Sequence, residues 1–186
     1  MLFRLCFSCV ILLVSCTETE TLVSVFHKNE IKLKTKHGVT YRSGNPFSGR
    51  VINLKGLDTV SVSEYLNGKE HGIWKSFYPN RQLKTKRSFK NGRKTDQFLA
   101  WWSNGNKKFV FQFEQNEHHG TCLKWFETGE KLSEMNYSFG HEKGLQQLWY
   151  ANGKLKSNYI IKNKRRFGLL GTKNCVNVKG VITDKP

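Results

Sequence analysis

A glycine recurs on a fixed grid in this chain: Gly72, Gly120, Gly144 and Gly168 are separated by multiples of 24 residues, and Asp96 fills the one grid position that lacks a glycine. Five residues beyond the first four grid points stand Phe77, Trp101, Trp125 and Trp149, each followed by a second ring: Tyr78, Trp102, Phe126 and Tyr150. Seven residues before the grid points stand Tyr65, Phe89, Phe113, Tyr137 and Ile161. A register that holds over five units without slipping restricts the chain to a repeat architecture, because each unit must present the same faces to its neighbours.

Two sets of turn formers share that period. Asn67-Gly68-Lys69, Asn91-Gly92-Arg93, Gln115-Asn116-Glu117 and Phe139-Gly140-His141 precede the grid points, and Pro79-Asn80-Arg81, Ser103-Asn104-Gly105, Glu127-Thr128-Gly129 and Ala151-Asn152-Gly153 follow the ring pairs. Asn and Gly recur because tight hairpins need positive φ at their central residues. Each repeat is therefore two short strands and two turns. The expected fold is all-β, a single-sheet antiparallel meander of about ten strands. Composition agrees: three prolines against sixteen glycines and 13% aromatics suit strands and turns, while 38% hydrophobic residues and a mean hydropathy of -0.55 are low for a deep two-layer core.

Period-two alternation assigns the faces. One parity carries Leu83, Thr85, Arg87 and Phe89, then Lys107, Phe109, Phe111 and Phe113, then Met135 and Tyr137, then Leu155, Tyr159 and Ile161. The other carries Lys84, Lys86, Ser88 and Lys90, then Lys108, Val110, Gln112 and Glu114, then Asn158, Ile160 and Lys162, so one face is expected apolar and the other wet. The ring pairs occupy both parities. One ring of each pair must then point away from the apolar stripe, which makes Tyr78, Trp101, Trp102, Trp125, Phe126, Trp149 and Tyr150 the candidate binding face.

The pattern Asn-Gly-Lys-x-x-x-Gly-x-x-x-x-aromatic-aromatic-x-Asn-Gly-x-x-Lys resembles MORN-variant repeats, as in YwqK-type antitoxin proteins, over roughly residues 60–170. The departures are Asp96 at the grid, Arg81 in a turn, and Lys173-Asn174 where a ring pair belongs. Residues 39–171 are read as the array, opening on a degenerate copy around Gly49, with 172–186 as a C-terminal cap or tail. The resemblance implies a protein that works by binding, and an antitoxin-like or immunity-like role.

The N-terminus is of another kind. Arg4 precedes an apolar run from Leu5 to Val14, too short to span a bilayer and built like a secretory signal. Leu13-Val14-Ser15-Cys16 resembles a bacterial lipobox, so residues 1–15 are read as a signal peptide and 16–38 as a lipidated N-terminus and tether, with Cys16 as the lipid attachment site. Thr17 lacks the aspartate associated with inner-membrane retention in enterobacterial relatives, which favours the outer membrane. Cys122 and Cys175 then remain, about two repeats apart, near 20 Å in the repeat frame and beyond disulfide reach unless the tail folds back.

Removing the signal takes away only Arg4, leaving a formal charge of +16 from a starting +17. An exported basic protein meets anionic envelope surfaces or acidic proteins; nucleic acid is not the expected partner. The alternative to a docking role is solvated lysines that keep sheet edges unpaired. Catalysis needs a constellation, and none forms. His118 and His119 are adjacent on a turn and point apart, His71 and His141 lie three repeats apart, and Cys122 takes the strand position of Trp74 and Phe98 as a small buried hydrophobe. No metal site, no cofactor and no enzymatic activity are expected. The expected function is an exported, membrane-anchored protein-binding module, with a basic membrane-surface or polysaccharide-binding scaffold as the alternative.

Overall fold

A computed structural model describes residues 24–171. Sixteen strands are present among them: β1 (Val25–His27), β2 (Leu33–Lys36), β3 (Val39–Arg42), β4 (Asn45–Pro46), β5 (Gly49–Lys55), β6 (Asp58–Leu66), β7 (Lys69–Phe77) and β8 (Leu83–Lys90), then β9 (Arg93–Trp101), β10 (Lys107–Glu114), β11 (Glu117–His118), β12 (Gly120–Trp125), β13 (Lys131–Ser138), β14 (His141–Trp149), β15 (Leu155–Lys162) and β16 (Arg165–Leu169). From β5 to β16 the strands follow one another antiparallel in chain order, with β11 a two-residue extension on β10. The meander is as expected, but the strand number exceeds ten. Part of the excess lies in β1, which runs parallel to β5, and in β2, β3 and β4, which make a separate three-stranded sheet. Residues 24–38, read from the sequence as tether, thus contribute strands: Phe26 packs on Phe47 at 5.5 Å, and Leu33–Lys36 pairs with β3.

The first turns are two-residue loops with positive φ at both positions, as in Asn67 (50°) and Gly68 (75°), the signature of type I′ hairpins. Their centres are stitched to the preceding repeat: Gly92 N–H donates to Glu70 O at 2.7 Å, Asn116 N–H to Lys94 O at 3.1 Å and Gly140 N–H to His118 O at 2.9 Å. The second turns are three-residue loops. In the first of them Tyr78 N–H donates to Gln82 O, Arg81 N–H donates to Tyr78 O, and Arg81 takes φ 65° where the later copies have glycine. Its guanidinium reaches Asp58 at 2.6 Å.

The grid glycines mark left-handed backbone, with φ 66° at Gly72, 73° at Gly120 and 71° at Gly144; Asp96 adopts the same conformation at 53°. Gly49, the degenerate first copy, has a second reason to lack a side chain: a Cβ there would meet the Phe26 ring and Ser24 O, both at 2.9 Å.

Packing on one face is an aromatic ladder. Phe26, Phe47, Tyr65, Trp74 and Phe89 follow one another with centroids 5.0–5.7 Å apart. Arg87 carries the row onward, 5.8 Å from Phe89 and 3.6 Å above Phe98, and burial pulls its guanidinium pKa down. The row continues through Phe109, Phe111, His118 and Tyr137. The opposite face is not simply wet, as the alternation alone would have it. Leu99, Val110 and Leu123 lie directly opposite one another on successive strands and are half-buried, because a sheet without a second layer draws apolar contact from both sides.

Candidate functional site

The ring pairs line one edge of the sheet, at the entry to the second turns. The second ring of a pair is tied to the repeat that follows: Tyr78 Oη donates to Trp101 O at 3.0 Å, and Trp102 Nε1 donates to Trp125 O at 3.3 Å. The turn asparagines repeat the pattern, with Asn80 Nδ2 donating to Ser103 O at 3.3 Å and Asn104 Nδ2 to Glu127 O at 2.9 Å. These bonds hold the rings at the spacing of the repeat.

Cations lie on the rings. Lys84 stands 5.4 Å from the Tyr78 ring, Lys108 4.1 Å from Trp102 and Lys156 5.6 Å from Tyr150, each six residues beyond its ring. Lys107 and Lys131 stand 6.0 Å and 5.4 Å from Trp125 and Trp149, each eighteen residues before. Leu132 holds the corresponding position for Phe126, which therefore has no such cation. Among the described residues Lys84, Lys107, Lys108 and Lys156 enter no ion pair, so their charge is open to an external anion.

The structure thus places Tyr78, Trp101, Trp102, Trp125, Phe126, Trp149 and Tyr150 in register along one edge. Tyr150 is exposed and the others are half-buried. Half-burial leaves part of each residue accessible. Cys16 and Cys175 lie outside the described residues.

Sequence reasoning missed a groove of about 840 Å³ across β5, β6 and β7. Ile52, Val62, Ile73 and Phe77 line it, together with the ion pairs Arg50–Glu64 (2.7 Å) and Arg81–Asp58 (2.6 Å). Gly72 is part of its lining, and a Cβ there would meet the Glu64 carboxylate. No sequence signal marks this groove, because its walls come from both phases of the repeat.

His118 faces the aromatic ladder, 4.4 Å from the Phe113 ring, while His119 turns toward Glu114 at 3.5 Å and the Phe139 ring. Burial first, and then Lys94 and Lys124, hold the His118 pKa below its usual value. Cys122 Sγ sits 3.4 Å from His118 Nδ1, and burial raises its thiol pKa, the opposite of what activates a nucleophile. No group of three or more His, Cys, Asp and Glu residues able to hold a metal occurs among the described residues.

The family model described as MORN repeat variant matches residues 70–91 and 142–163. The two matches begin 72 residues apart, three periods of the grid, so they cover the same phase of the repeat. No curated protein matches the chain. Among solved structures, a point mutant of S. aureus TarM in complex with fondaparinux, alpha-GlcNAc-glycerol and UDP aligns with 60% of this chain at 18% identity and a TM-score of 0.33. The chain spans 22% of that structure's length, and so slight a likeness says nothing of function.

Proposed function

We propose that this chain, built on repeats of the MORN variant type, is an exported and lipid-anchored binding module that acts on a protein partner without catalysis, in the manner of an immunity or antitoxin-like protein. The observation that carries the binding site is the edge where Tyr78, Trp102 and Tyr150 each stand beneath a lysine. Rings tied to the repeat give an apolar contact, half-buried at Tyr78 and Trp102 and exposed at Tyr150, and lysines outside ion pairs supply complementarity to an acidic surface. A partner docked across several repeats meets the same pair of groups at a fixed spacing. The anchor rests on the resemblance of Leu13-Val14-Ser15-Cys16 to a lipobox, and the address expected for it is the outer membrane.

The formal charge of +17 favours one second reading, a scaffold that lies on an anionic envelope surface or polysaccharide. A comparison of wild type with the variant Trp102→Ala/Lys108→Ala/Lys156→Ala separates the two. Envelope proteins captured by the wild type and lost by a variant with unchanged circular dichroism support protein docking. Salt-sensitive binding to anionic liposomes, without any captured protein, overturns it in favour of the surface reading.

A further inference from the structure

The two ends of the large sheet are finished differently. At one end β1 covers β5 in parallel, and the small sheet is locked on by Thr40 N–H to Gly68 O and Gly68 N–H to Phe47 O, both 2.7 Å. At the other end β16 pairs only with β15 among the described residues, and Phe167, Leu169 and Leu170 are 52%, 53% and 44% exposed. An edge that no described strand covers, beside exposed apolar side chains, is a template for a further strand.

The repeat says what that strand should carry. Across the ladder Gly72 faces Phe89, Asp96 faces Phe113, Gly120 faces Tyr137 and Gly144 faces Ile161. Gly168 is the next grid residue, and no described strand lies on its outer side. The residue one period beyond Ile161 is Lys185, so the chain's own register offers a cation where every earlier repeat places a large apolar side chain.

Charge at the same end selects the partner. Lys162 lies directly opposite Arg165, Asn163-Lys164 forms the turn between them, and Arg166 reaches Glu142 at 2.9 Å. Like charges facing each other across a ladder are unfavourable unless an anion joins them. A hollow of about 710 Å³, lined in part by His141, Lys143, Lys164 and Arg166, adjoins this tip. A second copy of a chain with formal charge +17 would add to the repulsion.

We propose that the outer edge of β16 is a strand-addition site for an extended segment of an acidic partner protein. The segment runs antiparallel to β16, sets a large apolar residue opposite Gly168, and follows it with an acidic residue opposite Phe167, one diagonal from Arg165. This surface lies on the last described strand of the sheet and is independent of the ring edge proposed above.

The probe is a fluorescent synthetic peptide with the sequence of residues 107–114 made acidic by Lys107→Glu and Lys108→Glu, in which Phe113 fills the matching place against Asp96 and Glu114 follows it. Fluorescence anisotropy with the full chain should show saturable binding. Replacing Phe113→Ser or Glu114→Lys in the peptide, or Leu169→Lys in the protein, should weaken it by roughly tenfold or more. Phe167→Lys serves as the second protein variant, and urea melts show that each variant folds. Absence of saturable binding, or binding that Leu169→Lys and Phe167→Lys leave unchanged, overturns the proposal. So does a concentration-dependent dimer in sedimentation that Leu169→Lys abolishes, because the occupant is then a second copy.

Discussion

Trp74 and Gln146 stand three repeats apart and hold the same kind of backbone defect: Trp74 Nε1 donates to Glu64 O and Gln146 Nε2 donates to Asn136 O, both at 2.8 Å. The two acceptors are also three repeats apart, and each lies at a register shift, between Val62 and Glu64 and between Met135 and Tyr137. A bulge leaves backbone groups without ladder partners, and a side chain two residues past the grid glycine supplies one. Gln146 also accepts Asn136 N–H at 2.9 Å and donates to Lys143 O at 3.1 Å, and it is fully buried.

Gln146→Leu is therefore expected to destabilise the fold by about 2 kcal/mol, because it strands buried backbone groups while keeping side-chain volume. The urea midpoint of the variant measures this. An unchanged midpoint would show that water replaces the amide at no cost.

Asp96 carries φ 53° at a grid position where glycine stands at 66–73° in three other repeats. A side chain in the left-handed region is strained, so Asp96→Gly should raise stability by about 1 kcal/mol despite the greater freedom glycine gives the unfolded chain. Thermal or urea melting decides the sign, and a less stable variant would mean that the carboxylate contributes something the backbone argument omits.

The links between repeats have a gap at one place. Tyr78 and Trp102 donate to Trp101 O and Trp125 O, but Phe126 has no donor for Trp149 O. Phe126→Tyr would put a hydroxyl where Tyr78 has one and should stabilise by about 1 kcal/mol. Hydrogen exchange at β13 and β14 should slow in that variant, and exchange that stays the same would refute the homology of the two positions.

The period was legible because turns, grid residues and ring pairs are local features that recur. Its phase marked Phe89, Phe113, Tyr137 and Ile161 as strand residues, and the pairing of each with the preceding grid residue emerged only from the ladder register. What the sequence did not reveal came from long-range contact: β1 pairs in parallel with β5 and carries no period, and Phe26 reaches Phe47 across 21 residues. The bonds that hold Tyr78 and Trp102 end on backbone carbonyls, which leave no mark in side-chain identity. The equivalence of Trp74 and Gln146 was equally hidden, because residues of unlike class meet one backbone demand.

His118 gives the fold a pH dependence of known sign. Its pKa is held below the ordinary 6.5 by burial and by Lys94 and Lys124, so the unfolded chain binds a proton more readily than the folded one. Stability contributed by neutral His118 is present above about pH 6.5 and is lost as pH falls from there toward the lowered folded value. His118→Phe should flatten the slope of stability against pH below 6.5 in urea melts across pH 5–7, and an unaltered slope would assign the dependence to other groups.

The natural unit of change in this architecture is one whole repeat, because each strand pairs only with its neighbours and stability is close to a sum of repeat and interface terms. Deleting residues 96–119 joins Thr95 to Gly120 and replaces Asp96–Trp101 with Gly120–Trp125 against β8. Cys122 then takes the place of Phe98, and the ring pair, turn and grid residue keep their phase. Deleting 97–107 removes eleven residues, an odd number, and turns the apolar parity of everything downstream to the opposite face if pairing keeps its frame. Far-UV circular dichroism and urea melts should show that the first variant keeps strand signal and a cooperative transition at reduced stability, while the second loses both. Equal unfolding of the two would mean that the strands do not depend on the period, and that the 24-residue grid is not the unit on which this sheet is built.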